Sequence, residues 1–205
     1  MAGKLGEIRD VRAIDRLYRV AEEQGGYLTA KHAIEAGIPR STLGYHARET
    51  GSLERVGSGV YKLRNFPAAP HGHVIAAWLG LSRADAVVSH VSALELMEIT
   101  DLIADEVHVT LPRSKRGNTV PMGVRAHFTA RPIDKGDRRQ VKGVPVTGIE
   151  RTVADMLRAS GWTEQIDLAI RQAIERGQTT LPRLKAKLPK KAERRLNAIA
   201  EVGLK

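Results

Sequence analysis

Apolar residues recur at three- and four-residue intervals near the start of the chain. Ile14, Leu17, Tyr18 and Ala21 share one face of a helix, which Gly25-Gly26 ends. Thr29 is placed to cap a second, short helix from Ala30 to Ala36 that turns Ala33 and Ile34 inward. Gly37-Ile38-Pro39 predicts a tight turn. A third helix then runs from about Arg40 to Thr50, packs Leu43 and Ala47, and ends at Gly51. From there the period changes to two. Leu53–Val56 and Val60–Leu63 flank Gly57-Ser58-Gly59, which predicts a hairpin. Helix, helix, glycine-containing turn, helix and hairpin is the order of a winged helix-turn-helix.

Asn65–Gly72 carries two prolines and a glycine among small residues and reads as a linker, so the expected division is residues 1–64, a linker at 65–73 and a second domain at 74–205. Val74, Ile75, Ala77, Trp78 and Leu81 mark a helix. Ser89 is placed to cap another, whose buried stripe is Ala93, Leu94, Leu96 and Met97. Val107–Leu111 and Val124–Phe128 alternate as strands, and Val144–Val146 is a third extended piece. Thr147-Gly148-Ile149-Glu150 has the spacing of a capping box for a helix reaching about Ala159. Thr163 caps a helix carrying Ile166, Ala169, Ile170, Ala173 and Ile174. A short helix near Leu181–Leu188 and a final one from about Lys191 follow. The fold class is therefore α+β, with a winged helix-turn-helix ahead of a mixed domain in which helices close over a small sheet.

Composition narrows the partners. The 205 residues include 33 Lys+Arg, 23 Asp+Glu and no cysteine. Without cysteine there are no disulfides, thiolate metal sites or thiol nucleophiles. No apolar run is long enough to span a bilayer, and Met1–Glu7 lacks a hydrophobic stretch behind its charges, so a cytoplasmic protein is expected. The net charge of +10 asks for a polyanion, of which nucleic acid is the commonest. The excess is uneven: residues 65–150 hold 10 Lys+Arg against 9 Asp+Glu, whereas residues 151–205 hold 12 against 6.

Two regions carry candidate chemistry. In a winged helix the third helix projects and can enter the major groove. Its outer face here offers Arg40, Ser41, Thr42, Tyr45 and Arg48, and the wing offers Arg55, Ser58 and Lys62. These side chains supply donors to phosphates and base edges. Pro39 stands where a capping Ser or Thr is common, and His46 is expected to face inward. Further phosphate contacts are expected from the loop residues Arg113, Lys115 and Arg116. In the tail, Arg183, Lys185, Lys187, Lys190, Lys191, Arg194 and Arg195 meet only Glu193 in the local sequence. Such a run either reaches phosphates or is simply solvated. The winged helix has an equally plain alternative as a protein-interaction module, or as a transcription regulator unrelated to a toxin.

Gly25–Ala30, Gly37–Leu43 and Leu53–Tyr61 together resemble the N-terminal winged helix of AbiEi-type antitoxins, of the type IV toxin–antitoxin (AbiE abortive-infection) systems. Ser89–Leu94, Val107–Pro112 and Gly143–Thr147 with Glu150–Asp155 are similar to that family's C-terminal domain, so the resemblance spans roughly residues 14–160. It implies phage defence through an N-terminal domain that binds promoter DNA, expected at an inverted repeat, and represses its own operon. It also implies a C-terminal domain that counteracts a nucleotidyltransferase toxin without a stable complex.

Enzymatic alternatives lack their residues. A Vsr-like nuclease domain follows a similar winged helix in some bacterial proteins, but it needs clustered carboxylates around Mg²⁺ with a nearby lysine. After Asp155 only Glu164, Asp167, Glu175, Glu193 and Glu201 remain, all on predicted helices. A nucleotidyltransferase would need a Gly-Ser loop and a strand-borne Asp-x-Asp. His71-x-His73 has metal-like spacing but no third ligand nearby and reads as polar linker. Ser89 and His90, being adjacent, do not read as a catalytic dyad. Asp155 is expected to pair with Arg151 at i, i+4. No cofactor, metal site or catalytic residue is expected.

Overall fold

The computed structural model describes residues 14–81, 84–100 and 104–202; the N-terminal segment Met1–Glu7 lies outside them. The chain is mixed α+β and divides into two units, Met1–Arg83 with Lys142–Val144, and Ala84–Val141 with Pro145–Lys205.

In the first unit, helix α1 (residues 14–22) leads into strand β1 (Tyr27–Thr29), then α2 (Ala30–Glu35), α3 (Arg40–Arg48), β2 (Leu53–Gly57) and β3 (Val60–Leu63). Thr29 caps α2 by accepting from the His32 backbone N–H at 3.2 Å. His32 completes the box in the place usually held by Glu, with Nδ1 3.4 Å from the Thr29 backbone nitrogen. Leu17, Ala21, Leu28, Ala33, Ile38, Leu43, Leu53 and Leu63 make one closed core. Ile38 is buried because Gly37, at φ +74°, bends the chain between α2 and α3. Ile34, expected inward, is instead 53% exposed. The hairpin forms as the alternation predicts, with a register shift between Arg55 and Gly57. β1, too short to show a period, pairs antiparallel with β3, so the sheet order is β1-β3-β2.

The segment expected as a linker lies within this unit. A Cβ on Gly26 would fall 2.6 Å from the Phe66 ring, and one on Gly25 would fall 2.7 Å from Ala69. Phe66 thus packs on the core of the winged helix, and α4 (Gly72–Leu81) follows with Val74, Ile75 and Leu79 buried. The division falls at residues 83/84 because these apolar side chains, rather than the prolines, decide what the segment packs against.

The second unit holds β4 (Val87–Val88), α5 (His90–Leu96), β5 (Val107–Pro112), β6 (Val124–Thr129), β7 (Arg138–Val141) and β8 (Val144–Thr147), with the tip of β8 assigned to the first unit. Helices α6 (Ile149–Ser160), α7 (Glu164–Glu175), α8 (Leu181–Lys187) and α9 (Glu193–Val202) follow. The sheet order is β6-β5-β4-β8-β7, with β5 parallel to β6, β4 antiparallel to β5 and parallel to β8. β4 is only two residues long, and β7 reads Arg-Arg-Gln-Val, so neither shows a strand pattern. Val88, Val109, Leu111 and Val146 are buried on the sheet, and Leu94, Val153, Ile170 and Leu196 on the helices.

Two expected caps are spent differently. Ser89 occupies the N-cap of α5, but its hydroxyl makes no capping bond; it accepts from Thr110 Oγ1 at 2.8 Å and lies 3.0 Å from His90 Nδ1. The N-cap of α6 is Gly148, not Thr147. Thr147 lies 2.6 Å from the Thr152 hydroxyl, and Glu150 accepts from Thr179 and Arg183. Thr163 caps α7 as expected.

Candidate nucleic-acid interface

Helix α3 starts at Pro39, whose φ of −61° suits a helix entry although it offers no side-chain cap. Leu43 and His46 face the core, so the opposite side is fixed: Ser41, Tyr45 and Arg48 at i, i+4 and i+7 are exposed, with Arg40 beside them and Thr42 half-buried. His46 is held by Thr50, whose hydroxyl lies 3.2 Å from Nδ1. Gly44 sits mid-helix on the outward stretch, where a Cβ would lie 3.2 Å from the Arg48 guanidinium. On the wing, Arg55 and Ser58 are exposed, and Arg55 Nε donates to the Gly57 carbonyl at 3.2 Å. Lys62 is half-buried. Its ammonium lies 5.7 Å from the Tyr27 ring centroid, and Lys62 stands opposite Glu54 in the strand register.

In the second unit, Arg113 and Arg116 are exposed and Lys115 half-buried around a 3₁₀ turn, with Arg116 over the Phe128 ring at 5.4 Å. The basic tail is not the unopposed run its local sequence suggests. Arg183 Nε pairs with Glu150 at 3.0 Å, Lys187 with Asp137 at 2.6 Å, and Arg195 with Asp167 at 2.7 Å. The carboxylates come from distant parts of the chain, which is why a scan along the tail misses them. Lys190, Lys191 and Arg194 are exposed and Lys185 is half-buried. The expected Arg151–Asp155 pair forms, with two bonds of 3.0 and 2.8 Å. Arg158 joins the same carboxylate, and Arg151 reaches Asp137 at 3.3 Å. Burial opposes the Arg151 charge, but its bonds to Asp155 and Asp137 outweigh that and raise its pKa.

A further group of residues escapes the sequence scan. His90 at the start of α5, His108 on β5 and His127 on β6 bring their ring nitrogens within 4.8 Å of one another. His127 Nε2 and His108 Nδ1 are 3.3 Å apart, and the His90 and His127 rings stack with centroids 3.7 Å apart. His90 has φ +54°, a left-handed conformation that is uncommon outside glycine. Burial, followed by the neighbouring His127, His108, Arg151 and Arg125, pushes the His90 pKa down to about 3. Burial, then His127 and Arg125, takes His108 down to about 4. His127 is lowered by burial and Arg125, with Asp155 acting in the opposite direction. The separations along the chain give no local motif. Only the parallel β5–β6 register, which sets Thr110 beside His127, brings the rings together. Among the described residues, His71 and His73 join no such convergent group, and no helix is long and apolar enough to cross a membrane.

Residues 15–63 match the model of the AbiEi antitoxin family, described as transcriptional regulators. No curated protein matches the chain. Among solved structures, the RV2827C protein from Mycobacterium tuberculosis has a similar fold, with a TM-score of 0.53 at 16% identity over 91% of this chain and 75% of that one. The matched family segment runs from α1 to the end of β3, the helices, core and wing of the first unit. Over those residues the chain is similar to the AbiEi antitoxin family of transcriptional regulators.

Proposed function

We propose that the chain is the antitoxin of a type IV toxin–antitoxin pair, which binds operator DNA in its own promoter through α3 and the wing. In this reading it represses its operon and opposes a partner nucleotidyltransferase without forming a stable complex with it. The observation that supports it most directly is the outward face of α3. Arg40, Ser41, Tyr45 and Arg48 stand exposed on a helix whose other side is anchored by Leu43 and His46. A glycine inside a helix costs about 1 kcal/mol relative to alanine. Gly44 on that face leaves room for a close backbone approach to a groove wall. Arg40 and Arg48 supply charge and forked donors to phosphate or guanine, and Tyr45, Ser41 and Thr42 supply hydroxyls. On the wing, Arg55 and Ser58 are placed for the flanking backbone. No step of this function requires a catalytic residue or a cofactor.

The test is a mobility-shift titration of the upstream promoter fragment across a salt series. The wild-type chain should shift it specifically, and Arg40→Ala with Arg48→Ala should abolish the shift. For any residual binding, the log–log salt slope should flatten by about 0.9 for each phosphate that the variant leaves unneutralised. Undiminished binding by the double variant sinks the assignment of α3 as the reading helix. Rescue of cells from the toxin without any promoter binding would identify the winged helix as a protein-interaction module instead.

A further inference from the structure

We propose that His90, His108 and His127 form a binding site for a divalent transition metal of the zinc class, held by three imidazole nitrogens with the remaining coordination position open to water. The three residues come from three elements of one unit, the start of α5 and the neighbouring parallel strands β5 and β6. Two zinc-bound nitrogens at 2.0–2.1 Å from a tetrahedral ion stand about 3.3 Å apart. The His127 Nε2 to His108 Nδ1 distance is 3.3 Å, so one edge of the tetrahedron is already in place. The other nitrogens, all within 4.8 Å, close the remaining edges by ring rotation as the His90–His127 stack opens.

The surroundings suit ligation. Ser89 Oγ engages His90 Nδ1 at 3.0 Å and is itself fixed by Thr110 at 2.8 Å. This orients the ring and leaves Nε2 as its metal-facing nitrogen, the arrangement by which a neighbouring group fixes a ligand's tautomer. His90 is buried, whereas His108 and His127 are half-buried, so an ion has a way in from their side. Burial keeps the rings in the neutral form that donates a lone pair. The cations nearby do not block the site. Arg151 is held by Asp155 and Asp137, which it shares with Arg158 and Lys187, and Arg125 is exposed. A donor set of three imidazoles selects zinc, copper, nickel or iron over magnesium and calcium, which take oxygen ligands.

The experiment uses the full chain without a histidine tag, stripped with chelator, and titrated with Zn²⁺ by calorimetry and with Co²⁺ by visible absorption. One equivalent of each metal should bind, Co²⁺ with the intense bands of a four-coordinate ion, and Mg²⁺ should not bind. His108→Gln and His127→Gln should weaken binding by about 100-fold or more, whereas His71→Gln with His73→Gln should leave it unchanged. In wild-type protein, Zn²⁺ should move the ring ¹⁵N resonances of these three histidines and no others, a readout that does not depend on any variant folding. Absence of stoichiometric binding, or binding that survives in folded cluster variants, overturns the proposal. Ring shifts at His71 and His73 instead of the cluster also overturn it.

Discussion

Acid should weaken the second unit through His90, and the size of the effect follows from its burial. In the unfolded chain an imidazole takes its proton near pH 6.5; in the folded chain His90 resists until about pH 3. Between those limits the unfolded state binds about one more proton at this residue than the folded state, so stability rises with pH. The His90 contribution is therefore complete above about pH 6.5 and drains away as the pH falls towards 3. From pH 7 to pH 5 the loss from His90 alone is about 2 kcal/mol. His108, pushed down to about 4, acts in the same direction; burial leads both shifts, followed by His127 and Arg125, with His108 and Arg151 acting on His90 as well, while Asp155 faces His127. His90→Asn removes the titrating group while tolerating φ +54°, because Asn visits the left-handed region more readily than most residues. Trp162 lies in the second unit and Trp78 in the first, so a Trp78→Phe background makes fluorescence report the second unit alone. Urea unfolding with chelator present should show the pH 7 to pH 5 loss shrinking by about 2 kcal/mol in His90→Asn. Equal losses in both proteins would refute the reasoning.

Asp155→Asn should cost about 2–3 kcal/mol, because Arg151 and Arg158 lose a shared and largely buried carboxylate; an unchanged urea midpoint from Trp162 fluorescence would contradict this. Gly26→Ala should destabilise the first unit by about 2 kcal/mol or more, since φ is +89° and the new Cβ would meet the Phe66 ring at 2.6 Å. Gly59→Ala, at φ +71° with nothing within 4 Å, should cost only about 1–2 kcal/mol for the backbone conformation. Thermal unfolding followed by Trp78 fluorescence in a Trp162→Phe background measures both, and equal costs would remove Phe66 from the explanation.

The winged helix was legible because its information is local. Leu17 and Ala21, Leu43, and the Gly57–Gly59 turn each declare an element within a few residues, and Gly37 marks the bend between α2 and α3. The second unit was legible where strands alternate, as at Val107–Leu111, and illegible where they do not. Val87–Val88 and Arg138–Val141 become strands because neighbours offer them backbone partners, not because their side chains show a period. Capping residues misled for a related reason. The Ser89 and Thr147 hydroxyls have the right spacing for caps, but each finds a partner inside the unit, Thr110 and Thr152. The prolines at 67 and 70 suggested a linker, but Phe66 and Ala69 carry enough apolar contact to hold that segment against the first unit. The histidine cluster has no local signature. Its members are 18 and 19 residues apart, and their meeting depends on a parallel strand pair that cannot be inferred from spacing.

The pairing of the tail cations changes how the chain's charge behaves at a distance. A free lysine acts as a monopole, felt out to a Debye length of about 8 Å at physiological salt. Arg183, Lys187 and Arg195, each set against a carboxylate, act outwardly as dipoles whose fields decay faster. A polyanion diffusing past the C-terminal helices is therefore steered mainly by Lys190, Lys191 and Arg194. It reaches the other three only by displacing Glu150, Asp137 and Asp167 from them. Recruitment of the tail is then an exchange of partners that loosens the internal clasps on α8 and α9 while making new bonds outside. Net charge counts the tail's cations alike, while an approaching polyanion meets two classes of them.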